Sequence, residues 1–310
     1  MNGILAVDKC KGLTSHDVVA WVRRLSGQRR VGHAGTLDPM ATGVLVVCLG
    51  EATRLSDDLM RGAKWYVARI MFGACTTTDD AMGEVIERRA AAFSRADLAS
   101  AAKLQVGRLD QTPPNFAAVK QQGRPAYKAA RAGETVILAA RQVVVHSLAI
   151  LDAGQWAADA DLGFPPSAFA DLLISCSKGT YIRAIARDLG AALRCGGHLM
   201  GLRRLASGAF TTRHCVSVAE LEAMARVAGP AAVANRLLPM DHALSGLSAA
   251  LLGNRLESQV RSGRALAIPG AGEARDIRLY GATGEMVATA HAVDAGAYQP
   301  DRVFTGASGR

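Results

Sequence analysis

Residues 31–54, Val-Gly-His-Ala-Gly-Thr-Leu-Asp-Pro-Met-Ala-Thr-Gly-Val-Leu-Val-Val-Cys-Leu-Gly-Glu-Ala-Thr-Arg, constrain this chain more than any other stretch. A loop of small residues holding one His and one Asp runs straight into Val44 to Leu49, an apolar run bounded by Gly43 and Gly50. Such a run reads as a buried strand. Gly32 and Gly35 admit backbone conformations or close approaches closed to other residues, and Pro39 biases Asp38 towards extended geometry. The sequence therefore predicts a carboxylate aimed by its neighbours from a loop seated on a rigid element. Taken alone, a Gly-His-x-Gly pattern is more often a plain glycine-rich turn with a solvated Asp, so the remaining residues must decide.

A chain of 310 residues is long for one compact core and suits a large domain with a small one. No apolar run approaches a membrane span. The start, Met-Asn-Gly-Ile-Leu-Ala-Val-Asp-Lys, lacks a basic region, a long apolar segment and a cleavage site, so a cytoplasmic protein is expected. Cysteines at 10, 48, 75, 176, 195 and 215 form no Cys-x-x-Cys and no zinc-ligand spacing with histidine. Neither a metal nor a disulfide framework is indicated. The net charge of +9 is concentrated: six Lys/Arg against two acids in residues 1–30, five against one in 120–146, and seven against two in 171–215. The remainder is slightly acidic. Concentrated basic segments point to a polyanionic partner, although a basic face alone also serves non-specific nucleic-acid binding.

Along the chain, Ile4 to Val7 reads as a strand and Val18, Val19, Val22 and Leu25 as one face of a helix with Ser15 at its cap. Lys64 to Gly73 alternates, with Tyr66, Ala68, Ile70 and Phe72 on one face. Ser94 to Leu109 reads as a helix opened by a Ser94–Asp97 capping box. Residues 154–171, with two glycines and two prolines, look like a linker, followed by a short strand, Leu172 to Cys176. Next comes a helix with Ile182, Ile185, Ala186, Leu189 and Leu193 on one face, Thr180 as candidate cap, and Arg183 and Arg187 one turn apart. A cation in the first helical turn is opposed by the macrodipole and needs another partner. Ser217 and Glu220 cap a further helix, and short alternating segments from about 275 read as a small β-rich domain.

Gly32 to Arg54 closely resembles the catalytic motif of the bacterial tRNA pseudouridine synthase B (TruB) family, Gly-x-Leu-Asp-Pro-x-Ala-x-Gly-x-Leu. Asp8-Lys9-Cys10-Lys11-Gly12-Leu13-Thr14-Ser15 resembles its first motif, with Cys10 where Pro is usual. Lys64-Trp65-Tyr66, Ser177-Lys178-Gly179-Thr180-Tyr181-Ile182-Arg183 and Leu202-Arg203-Arg204-Leu205 resemble its later motifs, and Thr76 to Gly83 matches loosely. Pro113-Pro114-Asn115-Phe116-Ala117-Ala118-Val119-Lys120 and Ala126 to Gly133 resemble the segment that bacterial members close over the T stem-loop.

The resemblance implies an α+β pseudouridine synthase fold, a large mainly antiparallel sheet with flanking helices, over residues 1–240. An RNA-gripping insertion is expected at about 115–150 and a small PUA-like domain at 241–310. It implies conversion of the T-loop uridine, tRNA position 55, to pseudouridine after base flipping. Asp38 is then the essential residue and Arg183 its partner. Tyr66, Tyr181 and Leu202 line the pocket, and His33 fills the space the nucleotide leaves. Making pseudouridine breaks the bond from N1, turns the uracil and rejoins it through C5, without redox change or hydrolysis. No cofactor or metal is expected, the partner is the tRNA T stem-loop, and the chain is expected to be a monomer. Two alternatives stay open: the related synthase of a guide-RNA particle, disfavoured by the insertion and by the lack of a lysine-rich tail, and an RNA-folding protein with catalysis secondary.

Overall fold

The computed structural model describes residues 1–114, 116, 120–121, 124–125, 138–156, 167–268, 274–294 and 296–305. The Ala126 to Gly133 motif and most of the expected RNA-gripping insertion lie outside them. The chain forms two compact units: residues 1–37, 44–61 and 208–310 make one, and residues 38–43 with 62–207 make the other.

In the second unit five antiparallel strands lie in the order Gly197–Ser207, Lys64–Phe72, Ser167–Cys176, Arg141–Trp156, Gly107–Gln111. Thr42 and Gly43 run parallel beside Arg203 and Arg204. The alternation read from Lys64–Phe72 is realised, with Tyr66, Ala68, Ile70 and Phe72 buried and Trp65 and Arg69 exposed. Arg69 is held outside by a two-point ion pair to Asp171, its register partner on the next strand. Helix Ile182–Ala192 lays its Ile182, Ile185, Ala186 and Leu189 face on strands Gly197–Ser207 and Lys64–Phe72. Each Ile or Leu removed from water there contributes about 1.5–3 kcal/mol, which fixes this helix to the sheet.

Two expectations about this unit are corrected. The helix opened by the Ser94–Asp97 capping box ends at Leu104, and Gly107–Gln111 is a strand rather than its last turn. Those residues pair with Val145 to Arg141, distant partners that local periodicity does not register. Residues 154–171 are not simply a linker, because Gly154 to Trp156 and Ser167 to Asp171 continue a long hairpin. Gly154 opposes Phe169, and a Cβ there would lie 2.8 Å from the Phe169 ring. The glycine makes room for an aromatic ring and forms no turn.

In the first unit, strand Gly3–Lys9 lies parallel to Val216–Ser217 and beside residues 44–49, which pair antiparallel with Val31–His33. Ile4, Ala6, Val44, Val46, Cys48, Leu55 and Phe210 form its core. Helix Ser15–Ser26 is capped by Thr14 and Asp17, one residue earlier than expected. Ser15 is buried instead, its hydroxyl accepting from Leu37 N (2.8 Å) and donating to Leu37 O (3.2 Å). Lys9, fully buried, donates to the carbonyls of Cys10 and Leu13 and so stitches the turn in which Cys10 replaces proline. Near the C-terminus, strands Ser248–Leu251, Asp276–Tyr280, Met286–Asp294, Ala297–Val303 and Leu266–Ala267 form a separate sheet in that order. Leu252, Val260, Ile277, Leu279, Val287 and Tyr298 are buried against it. The architecture is α+β, with a β-rich C-terminal segment. Among the described residues no helix is long and apolar enough to cross a membrane.

Candidate active site

Asp38 opens a tight turn. Its carbonyl accepts from Ala41 N (3.0 Å), with Pro39 at the second position, where a fixed φ suits the turn. Four residues on, the loop is pinned. The Thr42 hydroxyl donates to Leu202 O (3.4 Å), and Gly43 sits at φ +97° against the backbone of Arg204. A Cβ at Gly43 would lie 2.2 Å from Arg204 O, so only glycine fits. The carboxylate is thus aimed by a short loop closed at both ends.

Arg183 is the second residue of helix Ile182–Ala192, and its side chain is 5% exposed. Its Nε lies 2.9 Å from Asp38 Oδ2 as an ion-pair contact, and its Nη2 donates to Asp38 Oδ1 (3.2 Å). Both carboxylate oxygens therefore face one planar fork. The guanidinium also donates through Nη1 to Thr78 O (3.1 Å) and through Nη2 to Phe116 O (3.4 Å). A second carboxylate is close by: Asp80 Oδ2 lies 3.7 Å from Nε. Asp80 is held in turn by the Thr78 hydroxyl (2.6 Å) and Met82 N (3.0 Å). One cation thus faces two anions, which answers why a cation occupies the positive end of a helix. Asp38 keeps 32% of its side chain exposed, so its carboxylate is paired on one side and open on the other.

One turn later on the same helix, Arg187 binds Asp79 (3.1 Å), Asp188 (2.9 Å) and Thr112 O (2.9 Å). Asp79 sits at φ +58°, and burial pushes its carboxyl above the ordinary range while Arg187 and Arg183 pull it back. The backbone of Asp79 and Ala81 is clipped to Leu199. The Thr76 to Gly83 turn is therefore a docking block for two arginines of one helix. Its role was not read from the sequence, although two arginines one turn apart and an adjacent pair of aspartates were the signal.

Tyr66 is 8% exposed and stands between Arg204 and Ile174 in the ladder. Burial pushes its phenol up, Asp38 adds to that, and Arg204, which hydrogen-bonds it, opposes. Tyr181 is the N-cap of the Arg183 helix, without a side-chain cap of its own. Thr180, expected to cap, instead lies 3.4 Å from the Ser177 hydroxyl. The buried amide of Gln111 clamps the residue ahead of the helix, accepting from Tyr181 N (2.8 Å) and donating to Tyr181 O (3.2 Å). Burial raises the Tyr181 phenol, with Arg141 and Arg183 opposing. Leu202 is half-buried and joined through its carbonyl to Thr42. Asp38, Tyr66, Tyr181, Arg183 and Leu202 thus all belong to one unit, whereas His33 belongs to the other, where its ring meets His16 edge-on at 5.4 Å. Among the described residues no group of three or more His, Cys, Asp or Glu could hold a metal ion.

Known proteins share this arrangement of sequence. Residues 23–182 match the model of the TruB family pseudouridylate synthase N-terminal domain, and residues 183–245 match that of the tRNA pseudouridylate synthase B C-terminal domain. The tRNA pseudouridine synthase B of Cupriavidus metallidurans is 40% identical over 98% of this chain and 94% of its own length. That of Thermobifida fusca is 43% identical over 98% and 99%. Among solved structures, a chain in the crystal structure of a Cbf5-Nop10-Gar1 complex superposes with a TM-score of 0.72 at 25% identity, covering 98% of this chain and 85% of that one. On these matches the chain belongs to the TruB family of tRNA pseudouridine synthases.

Proposed function

We propose that this chain isomerises uridine 55 in the tRNA T loop to pseudouridine, with Asp38 as the essential group. The observation that carries this is the Asp38 carboxylate, anchored at both oxygens by a buried Arg183 yet one-third open. The carboxylate acts on the ribose, by adding to C1′ or by taking a sugar proton to give a glycal. In either route the N1–C1′ electrons leave with the uracil, a C5–C1′ bond forms, C5 loses its proton and N1 gains one. Neither water nor an oxidant is consumed. Extracting the stacked base costs a few kcal/mol, offset by contacts from Tyr66, Tyr181 and Leu202, while His33 fills the vacated space. The segment at about 115–150 grips the T arm and the C-terminal sheet, PUA-like, takes the acceptor stem.

Identity of 40–43% to tRNA pseudouridine synthase B relatives, against 25% to the Cbf5 chain, supports a stand-alone tRNA enzyme, which we take to work as a cytoplasmic monomer. Asp38→Asn removes the charge and keeps the shape. It is expected to abolish tritium release from a T-arm RNA labelled at uridine C5 while binding stays within a few-fold. Wild-type release by the variant would remove Asp38 from the chemistry.

A further inference from the structure

We infer that Arg204 is a positioning residue for this reaction: its backbone seats the Asp38 loop, and its guanidinium fixes Tyr66 as a hydrogen-bond donor into the pocket. The inference rests on the proposed function for its turnover readout. Arg204 is 1% exposed, the largest of the fully buried side chains among the described residues. A buried guanidinium is an expensive way to fill a sheet, since desolvation offsets much of what its partners return. Its position explains its use. Arg204 and Tyr66 are register partners on adjacent strands, so their side chains share a face. The same residue's backbone meets Gly43 at a distance no Cβ tolerates. One residue therefore touches the two segments that carry Asp38 and Tyr66.

The direction of the hydrogen bond follows from chemistry. Arginine has donors and no acceptor, so the Tyr66 oxygen accepts from Arg204 and its own proton is left for another partner. A phenol oxygen has two in-plane directions, and Arg204 takes one of them. Charged and titratable groups around the phenol come from every neighbouring segment: Arg204 on one strand, Cys176 on the other, Asp38 from the loop, and Lys64 two residues back on the same face. Burial is the main influence that raises the phenol, and Arg204 opposes it. Without Arg204 the hydroxyl is free to turn and is harder to ionise.

The test uses full-length protein and a T-arm stem-loop RNA. Arg204→Lys keeps a cation and loses the planar fork, and Arg204→Met loses both. Single-turnover rate at saturating RNA is expected to fall on the order of tenfold for Lys and a hundredfold for Met, with RNA affinity unchanged. In a Tyr66→Phe background, Arg204→Lys is expected to cost nothing further. Additive losses in that double variant would overturn the inference. A second arm needs no RNA: with 3-fluorotyrosine incorporated and the Tyr66 resonance assigned by Tyr66→Phe, the 19F shift should move in Arg204→Lys, and further in Arg204→Met if that variant folds. An unmoved resonance refutes the pair. If the wild type itself releases no tritium from T-arm RNA, the functional reading fails while the 19F arm still judges the contact.

Discussion

Among the described residues four Lys and Arg side chains are buried, and each is accommodated differently. Lys9 donates to two backbone carbonyls, Arg183 faces two carboxylates, and Arg204 meets the Tyr66 phenol. Lys64 is 5% exposed and donates to Gly62 O (2.6 Å), and burial, with Arg204 adding to it, pulls its pKa from 10.5 down to about 8. A lysine depressed in this way releases its proton first in the folded state. Between about 8 and 10.5 the unfolded chain therefore binds more protons and stability rises with pH; below 8 the full penalty is present. Lys64→Met is accordingly expected to stabilise the fold at pH 7, by roughly 1–2 kcal/mol once the lost hydrogen bond is subtracted. The gain should shrink as pH climbs from 8 to 10. Urea melts of the two proteins across that range check this, and a variant less stable than wild type at pH 7 would show that the contacts of Lys64 outweigh its burial.

At the level of elements, the Asp38 loop and the Arg183 helix are set by contacts that span the chain. Gly43→Ala tests the loop. At φ +97°, and with a Cβ 2.2 Å from Arg204 O, the methyl group forces the loop off the strand. Strain in the backbone and loss of the close contact should cost about 1–3 kcal/mol of stability. Turnover should fall by more than that loss explains, because Asp38 moves with the loop; an alanine variant with wild-type single-turnover rate would show that the approach is not needed for chemistry. Much of this was legible beforehand. The alternation of Lys64 to Phe72, the capping boxes at Ser94 and Ser217, and the apolar face of the Arg183 helix are local patterns, and local patterns survive in sequence. What escaped depends on distant partners. Gly107 to Gln111 is a strand because Arg141 to Val145 lies beside it, and Ser15 left the cap because Leu37 needed its hydroxyl. The pairing of Arg183 with Asp38 was implied by family resemblance. The second carboxylate, Asp80, and the Gln111 clamp on Tyr181 needed coordinates.

Over the whole molecule, charge divides into two populations with different work. The surplus in residues 1–30, 120–146 and 171–215 suits a polyanionic partner drawn in at long range, and its exposed members include Arg24, whose side chain is 71% exposed. Arg183 falls within the third segment by sequence yet stands apart physically, being 5% exposed and already committed to Asp38 and Asp80. A phosphate contact removed from an RNA-binding surface lowers the slope of log affinity against log salt by roughly one unit and leaves saturated turnover intact. A partner removed from a buried charge pair does the reverse. Arg183→Met is therefore expected to bind T-arm RNA with an unchanged salt slope. Its saturated single-turnover rate should drop on the order of a hundredfold, since the Asp38 carboxylate loses both its orientation and its counter-charge. Measuring affinity at several salt concentrations alongside rate at saturating RNA separates the two populations. A shallower slope with an unchanged rate would place Arg183 among the phosphate contacts and leave the Asp38 carboxylate to be oriented by its turn alone.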